Sequence, residues 1–326
     1  MTIDENLLVL LLALLLDRIV GDPQWLWSRV PHPVVILGAA ISYADQQLNP
    51  SSLTGSQRRM NGVAAILALL VLSIAAGFVF DRFFALFGLA GLVLEAGLVA
   101  IFLAQKSLAD HVAAVATALR GEGLAGGRNA VSRIVGRDPE TLDEPAVCRA
   151  AIESLAENFS DGVVAPALWY AVFGLPGLLA YKMLNTADSM IGHRSEKYID
   201  FGWAAARLDD IANWPAARLS VILIAAGAWI RRGMIPCREA IRVAMRDGGL
   251  HRSPNSGRPE AAMAGALNVQ LAGPRIYGGV VVTEPMINNA GRDVATAGDI
   301  EDGVSVFYAS CMVFTGLIFG LFLCFL

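Results

Sequence analysis

The sequence predicts an all-α fold, a polytopic helical membrane protein with a large helical cytoplasmic face. Three observations predict it. The 326 residues are 55% hydrophobic and 17% charged, whereas soluble domains carry about 25% charge; mean hydropathy is +0.54. Residues 62–80, 84–104 and 304–326 are apolar runs near the roughly 20 residues that cross a bilayer as a helix. Basic residues concentrate between such runs, with six in 106–162, five in 182–218 and nine in 231–303. Under the positive-inside rule those segments face the cytoplasm, which points to a multi-pass protein of a bacterial inner membrane.

The first apolar run, Leu7–Leu16 within the marginal segment 7–20, is short and ends at Asp17-Arg18. Its acidic leader MTIDEN and the lack of a small-residue cleavage site argue against a signal peptide. Little more than Asp81-Arg82 separates 62–80 from 84–104, which predicts a tight hairpin. Two further segments are marginal or re-entrant. In 163–184 the sequence Gly174-Leu-Pro-Gly177 breaks the helix, and 216–230 is short for a span. Polar segments 106–162, 185–215 and 231–303 are then cytoplasmic loops that bring the chemistry-bearing residues together in one integral-membrane domain, 1–326.

Thr141-Leu-Asp-Glu144, with Pro145 next, resembles a capping box and predicts a helix to about Asn158. Arg238, Arg242 and Arg246 recur every four residues opposite Ile241, Ala244 and Met245. That spacing predicts a basic amphipathic helix suited to anionic headgroups. Pro259 starts another helix, ending near Gly273. A β-branched run is confined to Val280–Thr283.

Four segments carry dense chemistry. Glu153 and Glu157 stand at i and i+4 ahead of Asn158 and Asp161. Like charges so placed cost a few tenths of a kcal/mol, and a bound Mg²⁺ would reverse the sign; the alternative is a helical ion pair with Arg149. The stretch from Tyr181 to Arg194 ends an apolar half-helix in Asn185, Asp188, Ser189, His193 and Arg194, a costly set at membrane depth. Asp209 and Asn213 share a helix face, with Asp210 beside them and Arg218 beyond. The loop HRSPNSG presents His251 and Arg252 on a turn fixed by Pro254 and Gly257. Ser253, Asn255 and Ser256 hydrogen-bond locally there, a geometry for gripping an anion. Arg275 and Tyr277 follow. Smaller clusters are Asp17 to Pro23 and Pro31-His32-Pro33; Glu95, inside a membrane helix, reads equally as a buried pair or a functional group, and His111 reads as structural.

The net charge of −4 leaves no nucleic-acid footprint. Cys148, Cys237, Cys311 and Cys324 lack zinc or disulfide-framework spacing. Walker, Rossmann, zincin and nucleophile-elbow motifs are absent.

Together ESLAENFSDG, NTADSMIGHR with EKYIDFGW, LDDIANW…ARL and HRSPNSG…AMAGAL resemble the adenosylcobinamide-phosphate synthase family of cobalamin biosynthesis (the CobD/CbiB family). DRIVGDP and HPV fit as well, so the resemblance covers about Leu11 to Tyr277. One departure is Pro215, one position earlier than the family pattern, which bears on where the local helix starts. The resemblance implies ATP- and Mg²⁺-dependent amide formation. (R)-1-amino-2-propanol or its O-phosphate would be joined to the free carboxyl of adenosylcobyric acid. It implies Glu153, Glu157, Asp161, Asp188, His251 and Arg252 as catalytic residues, the first three as Mg²⁺ candidates. Substrate contacts would come from Asn158, Asn185, Ser189, His193, Arg194, Lys197, Tyr198, Asp209, Asp210, Asn213, Ser253, Asn255 and Ser256. Membrane lipid and other late cobalamin-assembly membrane enzymes are the implied partners. Two other classes remain in view. A transporter would use the broken helix as a half-helix site, and a non-catalytic signalling paralogue would lack parts of HRSPNSG or NTADSM.

Overall fold

A computed structural model describes residues 2–135, 139–273, 275–277, 280–282 and 284–326. In chain order the helices are α1 (Ile3–Val20), α2 (Gln24–Trp27), α3 (Pro33–Leu48), α4 (Gly55–Ala85), α5 (Leu89–Phe102) and α6 (Gln105–Val131). They continue as α7 (Glu144–Phe159), α8 (Ala165–Ile191), α9 (Trp203–Arg232), α10 (Met234–Asp247), α11 (Gly257–Leu267) and α12 (Ala297–Phe325). Two small antiparallel ladders interrupt the helices. β1 (Leu271–Ala272) pairs with β4 (Met286–Ile287), and β2 (Arg275–Tyr277) with β3 (Val280–Val282). The predicted β-branched run is β3; Thr283 and the side chains of Arg275 and Tyr277 lie outside the described residues.

Among the described residues, five continuous helical stretches are long and apolar enough to cross a membrane. They are Gly55–Ala85, Leu89–Val131, Glu144–Ile191, Trp203–Arg232 and Ala297–Phe325. The fold is therefore that of a polytopic helical membrane protein. The short run at the N-terminus is a full helix, with Leu7, Val9, Leu10, Ala13 and Leu14 buried. Segment 216–230 is not a separate piece either. It continues α9, in which Pro215 sits without ending the helix; Ala-rich flanks favour helix on both sides.

The chain divides into two compact units. The first comprises 1–103, 165–213 and 321–326. Here α8 packs on α1, α3, α4 and α5, and α1 packs on α5. Gly174 lies inside α8 at φ 62, a conformation open to glycine at little steric cost. A Cβ on Gly177 would lie 2.5 Å from the Trp169 carbonyl oxygen. Eight residues along a straight helix span about 12 Å, so the chain folds sharply over at Gly174-Leu-Pro-Gly177.

The second unit comprises 104–164 and 214–320. In it α6 packs on α7, α7 on α11 and β1, and α10 on α11. The expected capping box at Thr141 is corrected: Pro139–Thr141 is a 3₁₀ turn, and Asp143 caps α7 by accepting from Ala146 N–H at 2.8 Å. Asp143 wins because Pro145 occupies the first turn after it, where no backbone N–H is needed. The α11 helix ends at Leu267, earlier than expected, on Asn268 in the left-handed conformation.

Candidate functional site

In the second unit, two motifs 99 positions apart in sequence are joined side chain to side chain. Ser256 Oγ donates to Glu157 Oε1 at 2.8 Å, a charge-assisted bond worth about 1.5–3 kcal/mol. Glu157 is half-buried near the end of α7, and Asp161 follows it in a π-helical turn, Ser160–Val164. Such turns often mark functional positions, and this one leaves Asp161 half-buried rather than in the core. Asn158 is exposed and its amide donates to Ser154 O at 2.9 Å.

Glu153 and Glu157 share a face of α7 but meet different partners. Glu153 is 4% exposed and accepts from Ala272 N–H at 2.7 Å, because its side of α7 faces α11 and β1. It pins β1 to α7, while Glu157 faces the loop. Arg149 donates to the Asp293 carbonyl at 3.3 Å.

The loop His251–Gly257 is built by its own polar groups. Ser253 N–H donates to His251 Nδ1 at 3.0 Å. Ser253 Oγ accepts from the N–H groups of Asn255 and Ser256, each at 3.3 Å. Asn255 Oδ1 accepts from Arg218 Nη1 at 2.7 Å, and Arg258 Nη1 donates to Ala244 O at 2.9 Å. Gly257 is obligatory here, since a Cβ would sit 2.5 Å from His251 Cβ and 2.8 Å from Gly248 O.

The expectation that His251 and Arg252 both project is half corrected. Arg252 is exposed, its Nε 3.7 Å from Glu284 Oε1. His251 is turned inward with Nε2 4.0 Å from the buried Glu260. A ring whose Nδ1 accepts a backbone N–H carries its proton on Nε2, so His251 braces the loop with its proton toward Glu260.

The first unit holds a different cluster. Asp209, 7% exposed, accepts from Asn213 Nδ2 at 2.8 Å and from Asn185 Nδ2 at 3.5 Å. Tyr181 Oη donates to Asn213 Oδ1 at 2.8 Å. Asp188 and Asp210 add negative charge to the surroundings of Asp209, and Arg207 lies 3.9 Å from Asp210. The apolar side of Tyr181 lines a cavity of about 400 Å³ with Trp169, Phe173, Leu184 and Ala212. Ser189 is exposed and donates to the Asn185 carbonyl at 2.9 Å. His193 and Arg194 are exposed beyond the end of α8.

Lys197 and Tyr198 join a third group, also in the first unit. Lys197 Nζ donates to Asp45 Oδ2 at 2.6 Å and to Tyr198 Oη at 2.8 Å. Asn49 Nδ2 donates to Asp45 Oδ1 at 2.9 Å. Burial pushes the Asp45 carboxyl up, but Lys197, Asn49 and Tyr198 together hold it below the ordinary carboxylate range. The early elements also meet: Trp27 Nε1 donates to Asp22 Oδ1, and His32 Nε2 lies 3.8 Å from Asp22. Burial pushes the His32 pKa down; Asp22 opposes this and the Lys182 charge adds to it.

Asp45, Asn49, Glu260 and Glu284 were not singled out in the sequence. Glu260 alone had a signal, its place one turn after HRSPNSG; the others sit in stretches with no local pattern.

Among the described residues no three His, Cys, Asp or Glu side chains form a metal-holding group. Mg²⁺ associated with a nucleotide needs only one or two carboxylates, because phosphates and water supply the rest. The half-buried Glu157 and Asp161 fit that donor set. Glu153 has one oxygen engaged by the Ala272 N–H.

Five apolar helices and carboxylate–amide clusters held on them define a multi-pass membrane protein with built polar sites. Residues 10–307 match the family described as CobD/Cbib protein. Cobalamin biosynthesis protein CobD of Sinorhizobium sp is 68% identical over 97% of this chain and 98% of its own. The protein of that name from Brucella suis biovar 1 (strain 1330) is 54% identical over 96% of both chains. The one from Rhodobacter capsulatus is 43% identical, again over 96% of both. The chain belongs to the CobD/CbiB family of cobalamin biosynthesis. No solved structure matches it.

Proposed function

We propose that the chain is the adenosylcobinamide-phosphate synthase of its cell. It joins (R)-1-amino-2-propanol, or its O-phosphate, to the free carboxyl of adenosylcobyric acid in an ATP-dependent amide synthesis. The observation that carries this reading is the Ser256–Glu157 bond. It joins a half-buried carboxylate to a loop that carries Arg252, an exposed cation 3.7 Å from Glu284.

Forming an amide from a carboxylate requires the carboxyl oxygen to leave, which ATP makes possible by converting it into a better leaving group. Negative charge builds on phosphate oxygens as this happens, and directed cations stabilise it. Arg252 supplies a planar multi-donor group for that purpose, and Arg218 holds the loop through Asn255. Glu157 and Asp161 are the residues that would hold Mg²⁺, which would neutralise phosphate charge.

The amine has to reach the carboxyl carbon uncharged and lose a proton as the bond forms. Asp209, surrounded by amides and by negative charge, fits an incoming ammonium group and can take its proton. Asn185, Asn213 and Asp188 orient that group. His193, Arg194, Ser189 and Lys197 remain as further substrate contacts, and the corrinoid requires a broad surface of this kind.

The topology belongs to the same proposal. Segments 106–162, 185–215 and 231–303 face the cytoplasm of a bacterial inner membrane, where ATP is present; the apolar segments between them, 163–184 and 216–230, then enter the bilayer without crossing it. Cysteines introduced at Ser189 and Ser253 should resist an impermeant thiol reagent added to intact cells; ready labelling would refute that orientation.

The reaction itself is tested with the purified full chain in lipid nanodiscs. It is mixed with adenosylcobyric acid, Mg-ATP and each aminoalcohol separately, and read by mass spectrometry. One aminoalcohol should add its mass less one water, only with ATP. No adduct with either, from protein that remains folded, would remove the assignment.

A further inference from the structure

The α10 helix has two unlike faces, and the clusters above use only one. Ala240, Val243, Ala244 and Asp247 are buried, packed toward α11. On the opposite face Met234, Ile241 and Met245 are exposed, Met245 by 73%. At 100° per residue these three lie within about 40° of one another. Arg238 and Arg242 border them, and Ile235, 76% exposed, lies on the arginine side. A row of large apolar side chains left open to water calls for a cover.

The chain itself indicates what covers it. Only Gly233, at φ 93, separates α10 from α9, one of the five helices able to cross a membrane. The last turn of α9 exposes Trp229 and Ile230 and carries Arg231 and Arg232. An aromatic with basic residues at the end of an apolar membrane segment marks the membrane–water boundary. Arg231 Nε donates to Ser305 Oγ at 2.5 Å, and Arg232 pairs with Asp302. Both partners lie near the polar start of α12, another candidate span. The α10 helix therefore begins at the boundary.

We propose that α10 is an interfacial helix that docks on an anionic phospholipid bilayer. Met234, Ile241 and Met245 enter the acyl boundary, and Arg238 and Arg242 sit at the lipid phosphates. Arg246 is committed to Asp247 through two bonds of 2.6 Å, and Arg242 lies 3.1 Å from Glu239. Arg238 has no carboxylate partner among the described residues and is the principal lipid contact. The docking fixes the loop His251–Gly257 indirectly. That loop follows α10 within a few residues, and Arg258 ties it back to the Ala244 carbonyl.

The test uses the full chain carrying Ile241→Cys, with Cys237→Ser and Cys324→Ser, labelled with an environment-sensitive fluorophore. It is reconstituted in nanodiscs of phosphatidylcholine alone or with phosphatidylglycerol. Quenching by lipids brominated near the headgroup is compared with quenching by aqueous iodide. Lipid quenching should dominate in the anionic discs. Arg238→Glu with Arg242→Glu should lower the ratio of lipid to iodide quenching at least about tenfold, and the two lysine substitutions should preserve it. Equal iodide access in both disc types would overturn the proposal. So would lipid quenching indifferent to phosphatidylglycerol and to the charge reversals, which would leave no role for headgroup charge. Protection in lipid-free detergent together with crosslinking between copies would overturn it in favour of self-association.

Discussion

Glu157 and Asp209 are both carboxylates on long helices, and their surroundings differ in kind. Glu157 is half-buried and meets a hydroxyl delivered by a loop nearly a hundred residues away. Asp209 is almost wholly buried and meets amides, one from its own helix and one from α8, amid negative charge. The first arrangement leaves a lone-pair face for a cation and keeps water near. The second excludes water and holds a carboxylate with neutral donors, an environment that rewards a cationic guest. The proposed function assigns phosphate chemistry to Glu157 and amine recognition to Asp209.

The most severe break should come from Glu157→Gln, which keeps shape and removes charge. Amide formation should fall at least about tenfold, or 1.4 kcal/mol, in protein of unchanged melting temperature. Ser256→Ala is the paired control: if it matches Glu157→Gln, the carboxylate acts only as a pin for the loop. Unchanged turnover of Glu157→Gln at limiting Mg²⁺ would exclude a metal role.

Asp209→Asn addresses the other side of the comparison. The KM for the aminoalcohol should rise about tenfold while that for ATP stays put, a loss of about 1.4 kcal/mol in binding. A KM effect on ATP instead would reverse the proposed division. Arg252→Lys should lower turnover about fivefold, nearly as much as Arg252→Ala, because lysine lacks the planar fork. Wild-type kinetics in both would take the loop out of the reaction.

The smallest effect concerns Asp45. Its folded pKa is depressed, so its stabilising contribution is present above the unfolded value of about 3.9 and is lost as pH falls through the folded value. Melting of the wild type should drop more steeply than that of Asp45→Asn from about pH 5 to pH 3. Parallel slopes would mean that the Lys197 contact, on an exposed lysine, contributes little.

Helices and the bend at Gly174 were legible because period and glycine–proline chemistry are local; the hairpin expected at Asp81-Arg82 falls instead at 86–88, since both residues stay inside α4. The Asp209–Asn213 contact was legible for the same reason, one helical turn apart. By contrast, nothing in α7 shows that Glu153 faces β1 while Glu157 faces a loop; that depends on which neighbours pack on each side. The inward turn of His251 depends on Glu260 and on a backbone N–H two residues away, and so needed the fold. Asp45 lies 152 positions from Lys197, a distance at which sequence spacing carries no information.

The bend at Gly174 also bears on how the protein is made. Its longer arm, Leu175 to Ile191, is about 26 Å long at 1.5 Å per residue, short of a hydrocarbon core of roughly 30 Å. The stretch Glu144–Ile191 is long and apolar enough to cross a membrane, but it is bent within, and the bent part packs on other helices. Those helices are α1, α3, α4 and α5, all of which leave the ribosome before it. Chain order thus supplies the scaffold ahead of the segment that needs it, and moving 165–191 toward the N-terminus in a permuted chain would take that scaffold away.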